Sequence, residues 1–163
     1  MTQLIQFSTY LLNLIFMLSA CSAISDDTVT VNDVVEIESG HYAAYPDSGV
    51  VQKLITSPTE FKSEWEKIFE SRQPTPELPN VDFENRRVVL LLMEGKPNGG
   101  YSIDDVQLKE NADLRTISYT EFGPGNNCFT TQALTRPFYF ASIPKSDKEI
   151  EFKKQVDVVD CNE

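Results

Sequence analysis

Few residues in this sequence have the types and spacing that chemistry requires. The stretch GKPNGGYSI at residues 95–103 gathers three glycines, a lysine and a proline directly after the apolar run RVVLLLM. Gly95 and Gly100 have the spacing of the two glycines in a phosphate-binding loop, GxxxxGK[ST]. Tyr101 stands where that loop needs its lysine, and a strand-like segment follows, so no helix N-terminus faces a phosphate. Glycines accept positive φ without steric cost and Pro97-Asn98-Gly99 is turn chemistry, so the stretch reads as a hairpin turn. His41 is the only histidine, so any Ser–His–Asp triad must use it, and no GxSxG elbow is present. Paired carboxylates occur at Asp26-Asp27 and Asp104-Asp105. Neighbours on a strand point to opposite faces, so Asp104 and Asp105 form no facing acid/base pair. EF-hand spacing is absent. The expectation is a protein that is not an enzyme, with no catalytic residue, no metal site, no cofactor and no small-molecule substrate.

The chain has 163 residues and a formal net charge of −11, from 25 acids against 14 bases. That length suits one domain. The acidic excess argues against nucleic acid, which needs a basic face, and against electrostatic docking on anionic lipid. The acids are spread along the chain and read as a solvated surface.

The first twenty residues differ from the rest: they carry no charged side chain, and all Lys and Arg lie after Cys21. Their apolar stretch is too short to span a bilayer and fits the h-region of a signal peptide. It ends in Leu18-Ser19-Ala20-Cys21, which resembles the bacterial lipoprotein box. The resemblance implies cleavage before Cys21 and lipidation (including palmitate) of its thiol, although the usual basic n-region is missing. It implies residues 1–20 as lipoprotein signal peptide, 21–34 as a lipidated tether, and an exported bacterial lipoprotein held in the cell envelope through its anchor. Ser22, in place of an acidic retention residue, favours the outer membrane. A plain secretory signal or an uncleaved anchor is the alternative. If Cys21 carries lipid, Cys128 and Cys161 remain, and two leftover cysteines in an exported chain are candidates for a disulfide. A metal site is the alternative, but no CxxC exists and there is one histidine. A bridge would close a loop of about 34 residues, worth about 3–4 kcal/mol in the chain-entropy view, and would pin the C-terminus to a strand starting near Cys128.

The elements that must position these residues are mostly strands. VEIESGHYAAY and VVQKLIT at residues 50–56 alternate, with Val51, Lys53 and Ile55 on one face of the second. SPTEFKSEWEKIFES opens with Ser57 as N-cap, Pro58 at the first helical position and Glu60 at the third. Phe61, Trp65, Ile68 and Phe69 make one apolar stripe, with Glu60, Glu64 and Glu66 expected on the wet side and an end near Ser71. Trp65 is expected to anchor the helix on a sheet. RRVVLLLM reads as a central strand buried on both faces. YSIDDVQLKE and NADLRTISYTE form a hairpin turning at residues 111–113. Residues 122–127 form a longer loop, CFTTQALT and PFYFASIP two strand segments, and EIEFKKQVDVVDC the last strand. The fold class is α+β, predominantly antiparallel β. About 7–9 short strands form a sandwich or barrel, with one amphipathic helix at about 58–71, in a single domain over residues 35–163.

The helix ITSPTEFKSEWEKIF, the segment VDFENRRVVLLLMEGKPNGGYSI and the segment TQALTRPFYFASIPK together resemble the C-terminal domain of the protease-complex subunit PrcB. The likeness runs from about Gly49 to the end, and Cys128 and Cys161 sit where many exported relatives carry a pair. The resemblance implies a β-rich, non-enzymatic accessory lipoprotein that associates with, or stabilises, an envelope protein such as a protease. Gly95, Lys96, Pro97, Asn98, Gly99, Gly100 and Tyr101 form the candidate partner-contact loop. As an alternative, KPNGGY is similar, as an imperfect match over six residues, to the NPTTGY loop that chagasin-type inhibitors insert into cysteine proteases. That implies a protease inhibitor acting through residues 96–101, aided by residues 122–127, where glycines let backbone approach a cleft closely.

Overall fold

The apolar run after Arg86 and Arg87 becomes the middle of the molecule. In the computed structural model, which describes residues 28–31 and 33–161, the order is β1 (Val29–Val31), β2 (Val35–Gly40), β3 (Val51–Ile55), α1 (Pro58–Ile68), β4 (Arg86–Leu92), β5 (Ser102–Glu110), β6 (Leu114–Pro124), β7 (Phe138–Pro144) and β8 (Glu149–Val159). Two four-stranded sheets face each other, ordered β1-β5-β6-β8 and β2-β7-β4-β3. This is the expected α+β sandwich. Within it β4 lies between β7 and β3 and is covered on both faces, which is why its sequence is continuously apolar rather than alternating. Val88, Leu90 and Leu92 face the helix layer, and Val89, Leu91 and Met93 face the second sheet. Burying each of the larger side chains contributes roughly 1.5–3 kcal/mol.

α1 begins as its sequence dictates. The Ser57 hydroxyl accepts the Glu60 N–H at 3.3 Å, Pro58 opens the first turn, and the Glu60 carboxylate reaches back to accept the Thr56 N–H at 3.0 Å. The helix ends at Ile68 with Phe69 as C-cap, short of the expected residue 71. Trp65 does anchor it: its ring lies 5.5 Å from Phe140 on β7 and 4.5 Å from Phe69, and its Nε1–H donates to the Pro76 carbonyl at 3.1 Å.

Glu64 is not on the wet side. It sits three residues from Phe61 and four from Ile68, on the buried face, and is 2 % exposed. Its carboxylate is compensated there by the Tyr45 hydroxyl at 2.6 Å and by the Lys53 and Lys67 ammonium groups at 2.9 Å each. Burial alone raises this carboxyl, but the three donors outweigh it and hold Glu64 below the usual carboxylate range. The same pair, with burial leading, pushes the Tyr45 hydroxyl up to about 12.

Other expectations are corrected by the topology. β4 and β5 belong to different sheets, so residues 93–101 cross between layers and are not a hairpin turn. Residues 128–135 form no strand; the single bridge there joins Thr135 to Lys96, because the segment lies across the glycine loop instead of beside a strand. β6 runs on through Phe122, Gly123 and Pro124, so the loop expected from residue 122 starts at Gly125. That extension exists because β8 pairs with β6 along its whole length, and pairs parallel, whereas every other strand pair is antiparallel. The strand alternation assumed for Asp104 and Asp105 is interrupted by a bulge, with Asp105 at φ +54°.

Candidate functional site

Three segments meet at one end of the sandwich: residues 41–44 after β2, the glycine loop 95–101 after β4, and the long loop 125–136 before β7. Apolar strands deliver each of them there, but their own residues are held mainly by backbone hydrogen bonds. Lys96 and Thr135 exchange both N–H···O bonds, at 2.7 and 3.0 Å. The Gly99 N–H donates to the Thr131 carbonyl at 3.0 Å, and the Thr135 hydroxyl donates to the Asn98 carbonyl at 2.7 Å. The Tyr101 carbonyl accepts from His41 Nδ1 at 2.9 Å, which places a proton on Nδ1. His41 is thus spoken for as a loop tie.

The candidate contact loop is therefore stapled along much of its length. Gly99 is buried, and any Cβ there would overlap the Thr131 hydroxyl. Gly100 takes φ +88°, a conformation that requires glycine. The Lys96 ammonium is turned inward, 2.9 Å from Glu94 and 5.3 Å from the centre of the Tyr101 ring, and is 17 % exposed. The Lys96 ammonium in turn lowers the Glu94 carboxyl. Tyr101 packs on Gly123. Gly95, Pro97 and Gly100 remain exposed at the surface.

Arg136 locks the three segments together. Its guanidinium donates to the carbonyls of Met93 at 3.1 Å, Tyr45 at 2.8 Å and Gly49 at 2.8 Å, while its backbone N–H donates to the His41 carbonyl and its carbonyl accepts from Ala43. Among the described residues no carboxylate bonds it, and burial lowers its pKa. A planar fork with five donors fits three diverging carbonyls in a way that an ammonium does not.

Among the groups this end offers to solvent are three large apolar or aromatic side chains. Phe129 is fully exposed, Leu134 is 81 % exposed and Tyr42 about half exposed. Leu134 and Tyr42 border one shallow depression of about 340 Å³ with Gly95 and Ala43 on its floor, and Tyr42 borders a second of similar size beside Gly100, Tyr101 and Thr131. Phe129 and Leu134 were missed as surface groups because CFTTQALT reads as a strand.

Cys128 and Cys161 are joined by a disulfide, with Cα atoms 5.1 Å apart. The bridge pins the end of β8 to the start of loop 125–136, one residue from Phe129, rather than to a strand. Residues 1–20, expected to be a signal segment, and Cys21 and Ser22 lie outside the described residues. Among the described residues, no group of three or more His, Cys, Asp or Glu is placed to hold a metal ion, and no helix is long and apolar enough to cross a membrane.

No curated protein and no solved structure matches the chain significantly. A family model does, over residues 87–144, a narrower span than the likeness from Gly49 onward. That span begins in β4, contains the glycine loop, Phe129, Leu134 and Arg136, and ends with β7. α1 and β8 lie outside it. In these residues the chain carries a PrcB C-terminal-like domain.

Proposed function

We propose that this is a non-enzymatic accessory domain of an envelope lipoprotein, anchored through Cys21, that binds or stabilises another envelope protein such as a protease. The observation that supports the reading is the set of exposed large side chains at this end of the sandwich. Large side chains at Tyr42, Phe129 and Leu134 are held out to water by loops that are rigidly cross-tied underneath. Exposing such groups together costs solubility unless a partner covers them, and rigid presentation reduces the ordering cost of binding. The match to the PrcB C-terminal family over residues 87–144 is compatible with such an accessory, protease-associated role.

The contact surface is displaced from the glycine loop to its strap. Residues 95–101 form the base, and loop 125–136 carries the side chains that touch the partner. A photo-crosslinking residue at Phe129 or Leu134, in cells making the full chain, is expected to trap one reproducible envelope protein. The same residue at Lys109, on the solvent face of β5, is expected to trap none. Equal, unspecific capture from both places would overturn the reading.

A further inference from the structure

β8 is the edge strand of its sheet, and among the described residues no strand pairs with its second side. The Val159 carbonyl accepts the Gly125 N–H, so the odd-numbered residues of β8 turn their backbone groups toward β6. The even-numbered ones, from Ile150 to Val158, then turn theirs outward, because successive residues of a strand point their backbone groups to opposite sides. Consistent with this, the Val158 N–H has only the adjacent Asp157 carboxylate, at 2.8 Å, as acceptor. Along this edge Val156 is 70 % exposed, Val158 61 % and Val159 47 %. An open edge of that length with apolar side chains is a template for another strand.

We propose that the occupant is β8 of a second copy of this chain, paired antiparallel about a two-fold axis at Gln155, so that two four-stranded sheets become one continuous sheet. The sequence of the strand selects this register. Outward-facing groups must meet outward-facing groups, so opposed residues must both be even or both odd. Centring the pair on Lys153 or Lys154 sets like charges against each other. Centring it on Gln155 sets Lys153 opposite the partner copy's Asp157, and Asp157 opposite its Lys153. It also places Val158 opposite Phe152 and covers Val156. Two opposite-charge pairs fall at the positions of closest side-chain approach, and no like-charge pair is created. On forming the pair, Val158 N–H exchanges its own Asp157 for a backbone carbonyl, which frees Asp157 for the lysine.

The test uses the full-length chain in cells. Gln155→Cys places two thiols across a non-hydrogen-bonded antiparallel pair, a separation of about 4.5 Å between Cα atoms that a disulfide spans. It is expected to give a disulfide-linked dimer on a non-reducing gel, with Lys109→Cys and the unaltered chain giving none. Asp157→Lys, which opposes lysine to lysine twice, is expected to lower the crosslinked fraction roughly tenfold, and adding Lys153→Asp to restore it. Monomer only at Gln155→Cys, equal crosslinking at Lys109→Cys, a charge reversal that the second substitution fails to rescue, or a disulfide from Gln155→Cys to a different protein would each overturn the proposal.

Discussion

Lys96 and Thr135 lie 39 positions apart in the sequence and exchange both of their backbone hydrogen bonds. This two-bond clasp, with the Thr135 hydroxyl on the Asn98 carbonyl, closes the glycine loop against the segment that carries Leu134. Thr135→Val keeps the shape and removes the hydroxyl. It is expected to cost about 1 kcal/mol, read as a lower urea midpoint at unchanged slope. Gly100→Ala acts on the same loop through the backbone, since φ +88° is strained for any L side chain and the new methyl meets Pro124. A loss of about 1–2 kcal/mol is expected in the same measurement.

Removing the guanidinium of Arg136 leaves three carbonyls without their donor. Arg136→Ala is expected to destabilise by about 2–4 kcal/mol, and Arg136→Lys to recover less than half, because one ammonium does not reach Met93, Tyr45 and Gly49 together. Thermal melts of the two variants side by side check the difference.

Stability is expected to fall at both ends of the pH scale through the Glu64–Tyr45 pair. Glu64 is held below the usual carboxylate range when folded. Its contribution is therefore full above the unfolded value, about 4.3, and is lost as pH falls through the lower folded value. Tyr45 is raised from 10.0 to about 12, so its contribution is full below pH 10 and is lost as pH rises toward 12. Glu64→Gln flattens the acid limb, and Tyr45→Phe the alkaline limb; unfolding curves taken across pH for each variant decide this.

Phe129→Ser and Leu134→Ser touch groups already in water, so each is expected to change stability by less than about 0.5 kcal/mol. Loss of partner capture at unchanged melting temperature is the expected signature, and a large drop in stability would show these side chains to be packed instead.

Opening the bridge by Cys128→Ser with Cys161→Ser releases a constraint across 33 positions. A cost of about 2–4 kcal/mol in denaturant is expected. Thiol counting on the unaltered chain, before and after reduction, reads the bond directly.

What the sequence revealed followed from local pattern. Ser57-Pro58 and the Phe61–Trp65–Ile68 stripe located α1, the unbroken apolar run marked β4 as central, and Asn111 marked the β5–β6 turn. What it concealed was non-local. Glu64 looks like a surface acid until Lys53 and Tyr45, from separate segments, are brought over it. The glycine loop looks like a hairpin because turn residues do not say which sheet the next strand joins. Residues 128–135 have strand composition, yet their backbone groups are taken by the loop they cross. The parallel course of β8 depends on where β7 goes first, which no window of residues near β8 contains.

That parallel pairing has a consequence in time. β6 gains its second neighbour only from the last strand of the chain, after β7 has been laid into the opposite sheet. Until the residues up to Val159 have docked beside it, β6 is itself a bare edge and Ile117 and Phe152 are not yet joined in one core. Closure of the domain is thus a late event of high contact order, slow by the standards of small proteins.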